Sequence, residues 1–353
     1  MEQYRVYDRR TLAFVDGGVI RDYSIDNDYL SNNASTVVLV DETHAKKGDI
    51  IVGISGITKT FIGAITAVDN TKKTILFKHM KELFADNVIN PFKFTSTLGY
   101  KFELVDTMEF ILRTAFVDIP DTRRRLPIVF ERHGVVSGAV WTDDKDTLNL
   151  SDFIGWAFDH FNVYLDFDID FVRNVIVCKI IHNTSGGYVI KDNIALSEPN
   201  FDKNELPNFN KAIVFHKDTG ATLGTYYLLA NNTVTTSSTN ANRILPVQTK
   251  YISFDPDKGY TALQVATSEL MGNIYGHCIV IKFSKEQNLV KPLEFKVGDT
   301  VKIIYRGREY NSIFTGLKFT KGEPYYTCLF GKTRIDFTDR LKQYIDKRYR
   351  KND

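Results

Sequence analysis

The residues with chemical potential are few and scattered. Asp166, Asp168 and Asp170 alternate along one stretch, a spacing that puts three carboxylates on a single strand face. An EF-hand calcium loop opening at Asp166 needs Gly at its sixth position and Glu at its twelfth, where Phe171 and Val177 stand. The plainer reading is a half-solvated strand face approaching a turn. His44, His79, His133, His160, His182, His216 and His277 show neither HxH nor HxxxH spacing, and none lies near a cysteine pair, so a zinc site is not expected. His277 directly precedes Cys278, but neighbours on a strand point to opposite faces and cannot work as nucleophile and base. There is no Gly-x-Ser-x-Gly elbow and no phosphate-binding P-loop. Arg123-Arg124-Arg125, between Pro120 and Pro127, is the one dense basic patch; it reads as a solvated loop or as a contact for a partner or phosphate. No catalytic residue, metal ligand or cofactor is expected.

Those residues must be positioned by a chain of 353 residues, long enough for about two to four domains. Lys and Arg total 45 against 43 Asp and Glu, so no strong net field steers the protein to nucleic acid or an anionic membrane. Cys178, Cys278 and Cys328 are far apart, each in an apolar run, and predict buried free thiols in a reducing compartment. The N-terminus lacks an apolar signal region and no run approaches 18 apolar residues. The expectation is synthesis and folding in a cytoplasm, with no membrane anchor.

Residues 1–104 read as all-β, with runs at Tyr4–Tyr7, Thr36–Val40, Ile50–Ile54, Thr60–Val68 and Thr74–Lys78. Asp106 with Glu109 forms a cap pattern ahead of a helix carrying Met108, Ile111, Leu112, Ala115 and Phe116. A second helix opens at Ser151 with Phe153, Trp156, Ala157 and Phe161 on its apolar face, and strands at Val163–Phe167 and Asn174–Ile181 complete an α+β insert over 105–183. Asn183 to Gly187 reads as a linker. Residues 184–290 are β-rich with one helix (Leu263, Ala266, Leu270, Met271, Ile274) and contribute to a second barrel. Residues 291–353 supply that barrel's closing strands and a C-terminal helix.

The last of these segments has an echo near the start. Gly298-Asp299 opens it as Gly48-Asp49 opens Ala45–Phe77. Downstream, Phe61 aligns with Phe314, Gly63 with Gly316, Thr74 with Thr327, Leu76 with Leu329 and Phe77 with Phe330, with the turn-to-Phe spacing differing by three residues. This reads as an internal repeat of two related β-modules.

The C-terminal pattern (Gly298-Asp299, Tyr305 to Tyr310, Gly316, Phe330 to Arg334, and Phe337 to Leu341) resembles the tail-hub, tail-tip and tail-associated-lysin proteins of long-tailed phages and prophages, related in fold to the baseplate hub of contractile tails. That resemblance implies a β-rich α+β multi-domain fold, with two related tube-type antiparallel β-barrels and intervening α+β domains. It implies a homotrimer whose six barrels match the sixfold tail tube. The expected partners are the distal tail protein and other tail or baseplate proteins, and the expected location is the virion tail tip. Genomic DNA would pass through the channel without specific binding, and contact with the host cell wall is a further expectation. The sequence stops at Asp353 without a lysin extension, so no cell-wall enzyme activity is carried over. Two other readings stay open: a tail-borne cell-wall hydrolase with an unrecognised site, and a host-saccharide-binding module, for which the polar Asn231–Arg243 segment is the place to look.

Overall fold

The computed structural model describes residues 2–94, 101–142, 145–184, 186–191, 209–245, 247–286 and 290–332. Six strands come first: β1 (Glu2–Tyr7), β2 (Phe14–Asp28), β3 (Ser35–Leu39), β4 (Ile50–Ser55), β5 (Thr58–Asp69) and β6 (Thr74–Lys78). They pair antiparallel in the order β1-β4-β5-β6-β3-β2, and β1 also pairs with β2, so the ring closes into a barrel. Val6, Val37, Leu39, Ile51, Ile65 and Ile75 point inward and are buried almost completely.

β2 is not among the runs that alternation predicts. Its sequence, FVDGGVIRDYSIDND, is broken by Asp and Gly, yet at 15 residues it is the longest of the described strands. Its length has a use. The first part pairs with β1 and β3, and Ser24–Asp28 pairs with a strand some 290 residues away.

The insert follows: β7 (Asn87–Ile89), α1 (Pro91–Phe94), β8 (Lys101–Glu103), α2 (Leu104–Phe116), β9 (Ile128–His133), β10 (Ser137–Val140), β11 (Thr147–Asn149), α3 (Leu150–Phe161), β12 (Val163–Asp170) and β13 (Val175–His182). β12, β13 and β9 form a sheet in that order, with β13 parallel to β9. α2 and α3 bury Met108, Leu112, Phe153 and Phe158 in a core shared with Leu165 and Cys178. The cap of α2 differs from the expected Asp106. Glu103 accepts the Asp106 N–H, and the helix starts three residues earlier because Leu104 and Val105 are themselves buried in the core. α3 likewise starts one residue before Ser151. Asn149 caps it, accepting the Asp152 N–H at 3.0 Å.

β14 (Gly186–Lys191) leads to a separate sheet of β15 (Lys211–His216), β16 (Thr222–Leu228), β17 (Val234–Thr235) and β18 (Thr249–Phe254), ordered β17-β16-β15-β18. α4 (Ala262–Leu270) covers it, fixed at its start by a Thr261–Gln264 capping box. α4 stops before Met271 and Ile274, which the periodicity had included. Gly272, at φ 83°, turns the chain there.

The chain then returns to barrel strands: β19 (Ile279–Ser284), β20 (Thr300–Tyr305), β21 (Arg308–Thr320) and β22 (Tyr325–Phe330). Together with β14 they run β14-β20-β21-β22-β19 around a core of Ile281, Phe283, Val301, Ile303, Phe314 and Phe330. β14 lies parallel to β20, where antiparallel pairing was expected throughout, and among the described residues no strand pairing links β14 to β19. The expected C-terminal helix lies outside the described residues.

Candidate assembly interface

The repeat is visible in hydrogen bonds. In the first barrel Gly48 N–H donates to Ile65 O and Ile65 N–H to Asp49 O, both at 2.8 Å. In the second, Gly298 N–H donates to Phe314 O and Phe314 N–H to Asp299 O, again both at 2.8 Å. Each glycine has positive φ, 95° and 88°, where a side chain is strained. Each aspartate closes its turn by accepting the N–H three residues back, from Lys46 or Lys296, at 2.8 Å. This is why the pattern needs Gly followed by Asp.

These bonds correct the alignment. Ile65, not Phe61, is the counterpart of Phe314, and Ala67, not Gly63, that of Gly316. Ile50 faces Ala64 while Thr300 faces Ile313, so the first hairpin is one residue longer, through the bulge after Gly53. Ile65 pairs with Phe77 as Phe314 pairs with Phe330, so the alignments of Thr74, Leu76 and Phe77 with Thr327, Leu329 and Phe330 hold. Both barrels carry a bulge at the next residue, Thr66 or Thr315. Its hydroxyl donates to Leu76 O at 3.2 Å in one and to Leu329 O at 3.0 Å in the other.

The two barrels join edge to edge where β2 pairs antiparallel with β21, from Ser24 opposite Thr320 to Asp28 opposite Gly316. A Cβ on Gly316 would lie 2.3 Å from Asp28 Cα, so only glycine lets the strands meet. Tyr29 N–H donates to Thr315 O at 3.0 Å, and Lys318 Nζ pairs with Asp26 at 2.8 Å across the seam. Lys321 Nζ reaches Arg21 O at 2.9 Å.

The insert is fastened to both barrels. Asn162, left-handed at the end of α3, donates from Nδ2 to Asn183 O at 2.6 Å and Gly298 O at 3.0 Å. Asn183 Nδ2 donates to Val297 O at 2.9 Å and to the Asp299 carboxylate at 3.0 Å, so the second Gly-Asp turn is held from the insert. Lys332, at the end of the second barrel, donates from Nζ to Phe158 O at 2.6 Å and Asp159 O at 2.7 Å, capping α3. Burial there lowers its pKa to about 8. On the first-barrel side Lys59 pairs with Asp168, and the Leu165 N–H donates to the Tyr29 hydroxyl at 3.1 Å. A cleft of about 270 Å³ remains between the barrel and β12, lined by Asp26, Lys59, His79, Tyr164, Asp166 and Asp168 among others.

The residues singled out for chemistry are dispersed. Asp168 holds the barrel through Lys59, Asp170 accepts from Arg173 Nε at 2.7 Å, and Asp166 has its pKa raised by desolvation. Among the described residues no three His, Cys, Asp or Glu are grouped as a metal ion would require. Desolvation lowers the pKa of His79 to about 3 and of His160 to about 4, and raises those of Cys178 and Cys328. Cys178 and Cys328 are buried and Cys278 half-buried, and none of the three is joined in a disulfide. His277 turns away from Cys278 to the Ser312 hydroxyl, 2.7 Å from its Nε2. Arg123, Arg124 and Arg125 lie exposed: Arg123 N–H caps a turn on Asp121, Arg124 is 3.4 Å from Asp86, and Arg125 Nε donates to Ile119 O at 2.7 Å. The Asn231–Arg243 segment folds back, with the Arg243 guanidinium 4.0 Å from the centre of the Tyr227 ring. Among the described residues no helix is long and apolar enough to cross a membrane.

No family model matches the sequence, and no curated protein matches it significantly. Solved structures do match it in fold. The prophage tail protein gp18 from Listeria monocytogenes EGD-e aligns over 98% of this chain and 98% of its own, at TM-score 0.56 and 13% identity. A tail protein from Neisseria meningitidis MC58 covers 95% of this chain and 98% of its own, at TM-score 0.51 and 11% identity. The 43 kDa tail protein of prophage MuSo2 from Shewanella oneidensis covers 94% of this chain and 96% of its own, at TM-score 0.51 and 9% identity. The chain therefore shares the β-rich, multi-sheet fold of these tail proteins.

Proposed function

We propose that the protein is a structural subunit of a phage or prophage tail tip or baseplate hub, not an enzyme. Three copies form a ring of six barrels that adapts threefold to sixfold symmetry under the tail tube and surrounds or closes the channel for DNA. The observation that carries this reading is the duplicated barrel: two modules with the same turn, register and bulge, joined side by side in one sheet. A duplicated module is what a threefold assembly needs to meet a sixfold one. Likeness in fold to tail proteins over nearly the whole chain supports the same reading.

The remaining expectations belong to this proposal. The partners are the distal tail protein and other tail or baseplate proteins, with genomic DNA passing unbound and the host cell wall as a contact. The protein is made in the host cytoplasm and resides in the virion tail tip. The working division is 1–104, 105–183, 184–290 and 291–353, and Arg123–Arg125 is the proposed partner-contact loop. Light scattering with particle images of the purified protein tests the ring. A trimer with six similar lobes and a central hole is expected. A monomer showing one barrel-like lobe would overturn it.

A further inference from the structure

The residue that lengthens the first hairpin is Thr60, which bulges from β5 between Lys59, opposite Ile54, and Phe61, opposite Gly53. The matching strands of the second barrel pair from Thr300–Ile313 to Tyr305–Arg308 without a shift. A bulge re-aims a side chain, and bulges recur beside functional sites. Thr60 is exposed and lines the cleft of about 270 Å³ between the first barrel and β12. That volume is near the lower end for small-molecule sites, and the mouth of a β-barrel is a common place for one.

The cleft gathers polar groups that the fold leaves unused. Among the described residues, neither the Asn27 amide nor the Thr60 and Tyr164 hydroxyls have a hydrogen-bond partner. His79 accepts the Lys81 N–H at Nδ1, 3.2 Å away, so the neutral ring carries its proton on Nε2 as a donor. The charges, by contrast, are already balanced. Lys59 pairs with Asp168, Asp26 with Lys318, and Lys179 stands opposite Asp166 on β13. Phe61 supplies an apolar wall: it is half-buried and stacked on Phe77, with 5.0 Å between ring centroids.

We infer that this cleft binds a neutral saccharide unit, with Asn27, Thr60, Tyr164 and Asp166 holding its hydroxyls and Phe61 covering its C–H face. The open amide and hydroxyls both donate and accept, as a polyol requires. The Asp166 carboxylate accepts sugar hydroxyls in charge-assisted bonds, stronger than neutral ones. An ionic ligand fits less well, because it would bring an unbalanced charge into a cleft whose own charges are matched. The inference stands apart from the ring, since it needs only the first barrel and β12.

Titration calorimetry of the full chain with two neutral sugars, chitobiose and maltose, and two charged ones, glucosamine and glucuronate, tests this. At least one neutral sugar is expected to bind. Asp166→Ala and Thr60→Ala should each weaken that binding by about tenfold without lowering the melting temperature. Thr222→Ala, at an exposed site on β16, should bind as the natural protein does. Retention on insoluble chitin or starch as well assigns the sugar to a polymer, and binding of the soluble disaccharide alone assigns it to a free saccharide; either result upholds the site. Binding of neither neutral sugar, binding confined to the charged sugars, or binding unchanged in both cleft variants overturns the inference, and each leaves the ring as it stood.

Discussion

Single side chains hold this protein together where its parts meet. Asn183 is 8% exposed and donates to both Val297 O and Asp299, so Asn183→Ala leaves buried acceptors without their donor. It should cost roughly 1–3 kcal/mol in urea unfolding. The buried titratable groups set a pH dependence. His79 and His160 are neutral when folded, with pKa values of about 3 and about 4 against an ordinary 6.5. Unfolding therefore takes up protons below pH 6.5, and stability should fall as the pH drops from 6.5 toward 4. Lys332, at about 8 against an ordinary 10.5, has the same sign at higher pH, so stability should rise from about pH 8 toward 10.5. Unfolding curves across this range check both limbs. Substituting both histidines by glutamine should flatten the acid limb.

At the scale of elements, the repeated hairpin makes paired experiments available. Thr66 and Thr315 make the same hydroxyl bond, but Thr315 is fully buried and also lies 3.3 Å from Gly331 O. Thr315→Val should therefore cost about 1 kcal/mol or more, and Thr66→Val less. Equal losses in chemical denaturation would mean that the seam adds nothing to the bulge. Gly316→Ala forces a methyl into the seam at Asp28 and should destabilise by roughly 1–3 kcal/mol, whereas Ala67→Gly at the counterpart costs little. How much of the elements was legible is clearest in the same region. The alternating residues of β3, β6 and β20 report a buried face directly. β2 was illegible because Gly17 and Gly18, paired with β1, and the Asp residues of the bulge and seam interrupt any apolar alternation.

For the whole molecule, the continuous sheet through both barrels makes a two-barrel platform on which the insert is fastened by Asn162, Asn183, Lys59 and Lys332. If that platform is one-third of a ring, its assembled mass should be three times that of the 40.4 kDa chain. Light scattering measures this directly.

By itself the sequence determined the β-rich class, two amphipathic helices in the middle of the chain, and the existence of a repeat. Those depend on local periodicity and on a Gly-Asp turn whose chemistry is contained within a few residues. Only the tertiary structure decided the register of that repeat, because a bulge and a longer hairpin shift one strand against the other without altering the pattern of residue types. The tertiary structure also decided that β2 is a strand at all and that it joins the barrels. Its partner β21 lies at the far end of the chain, and pairing across that distance leaves no local signature.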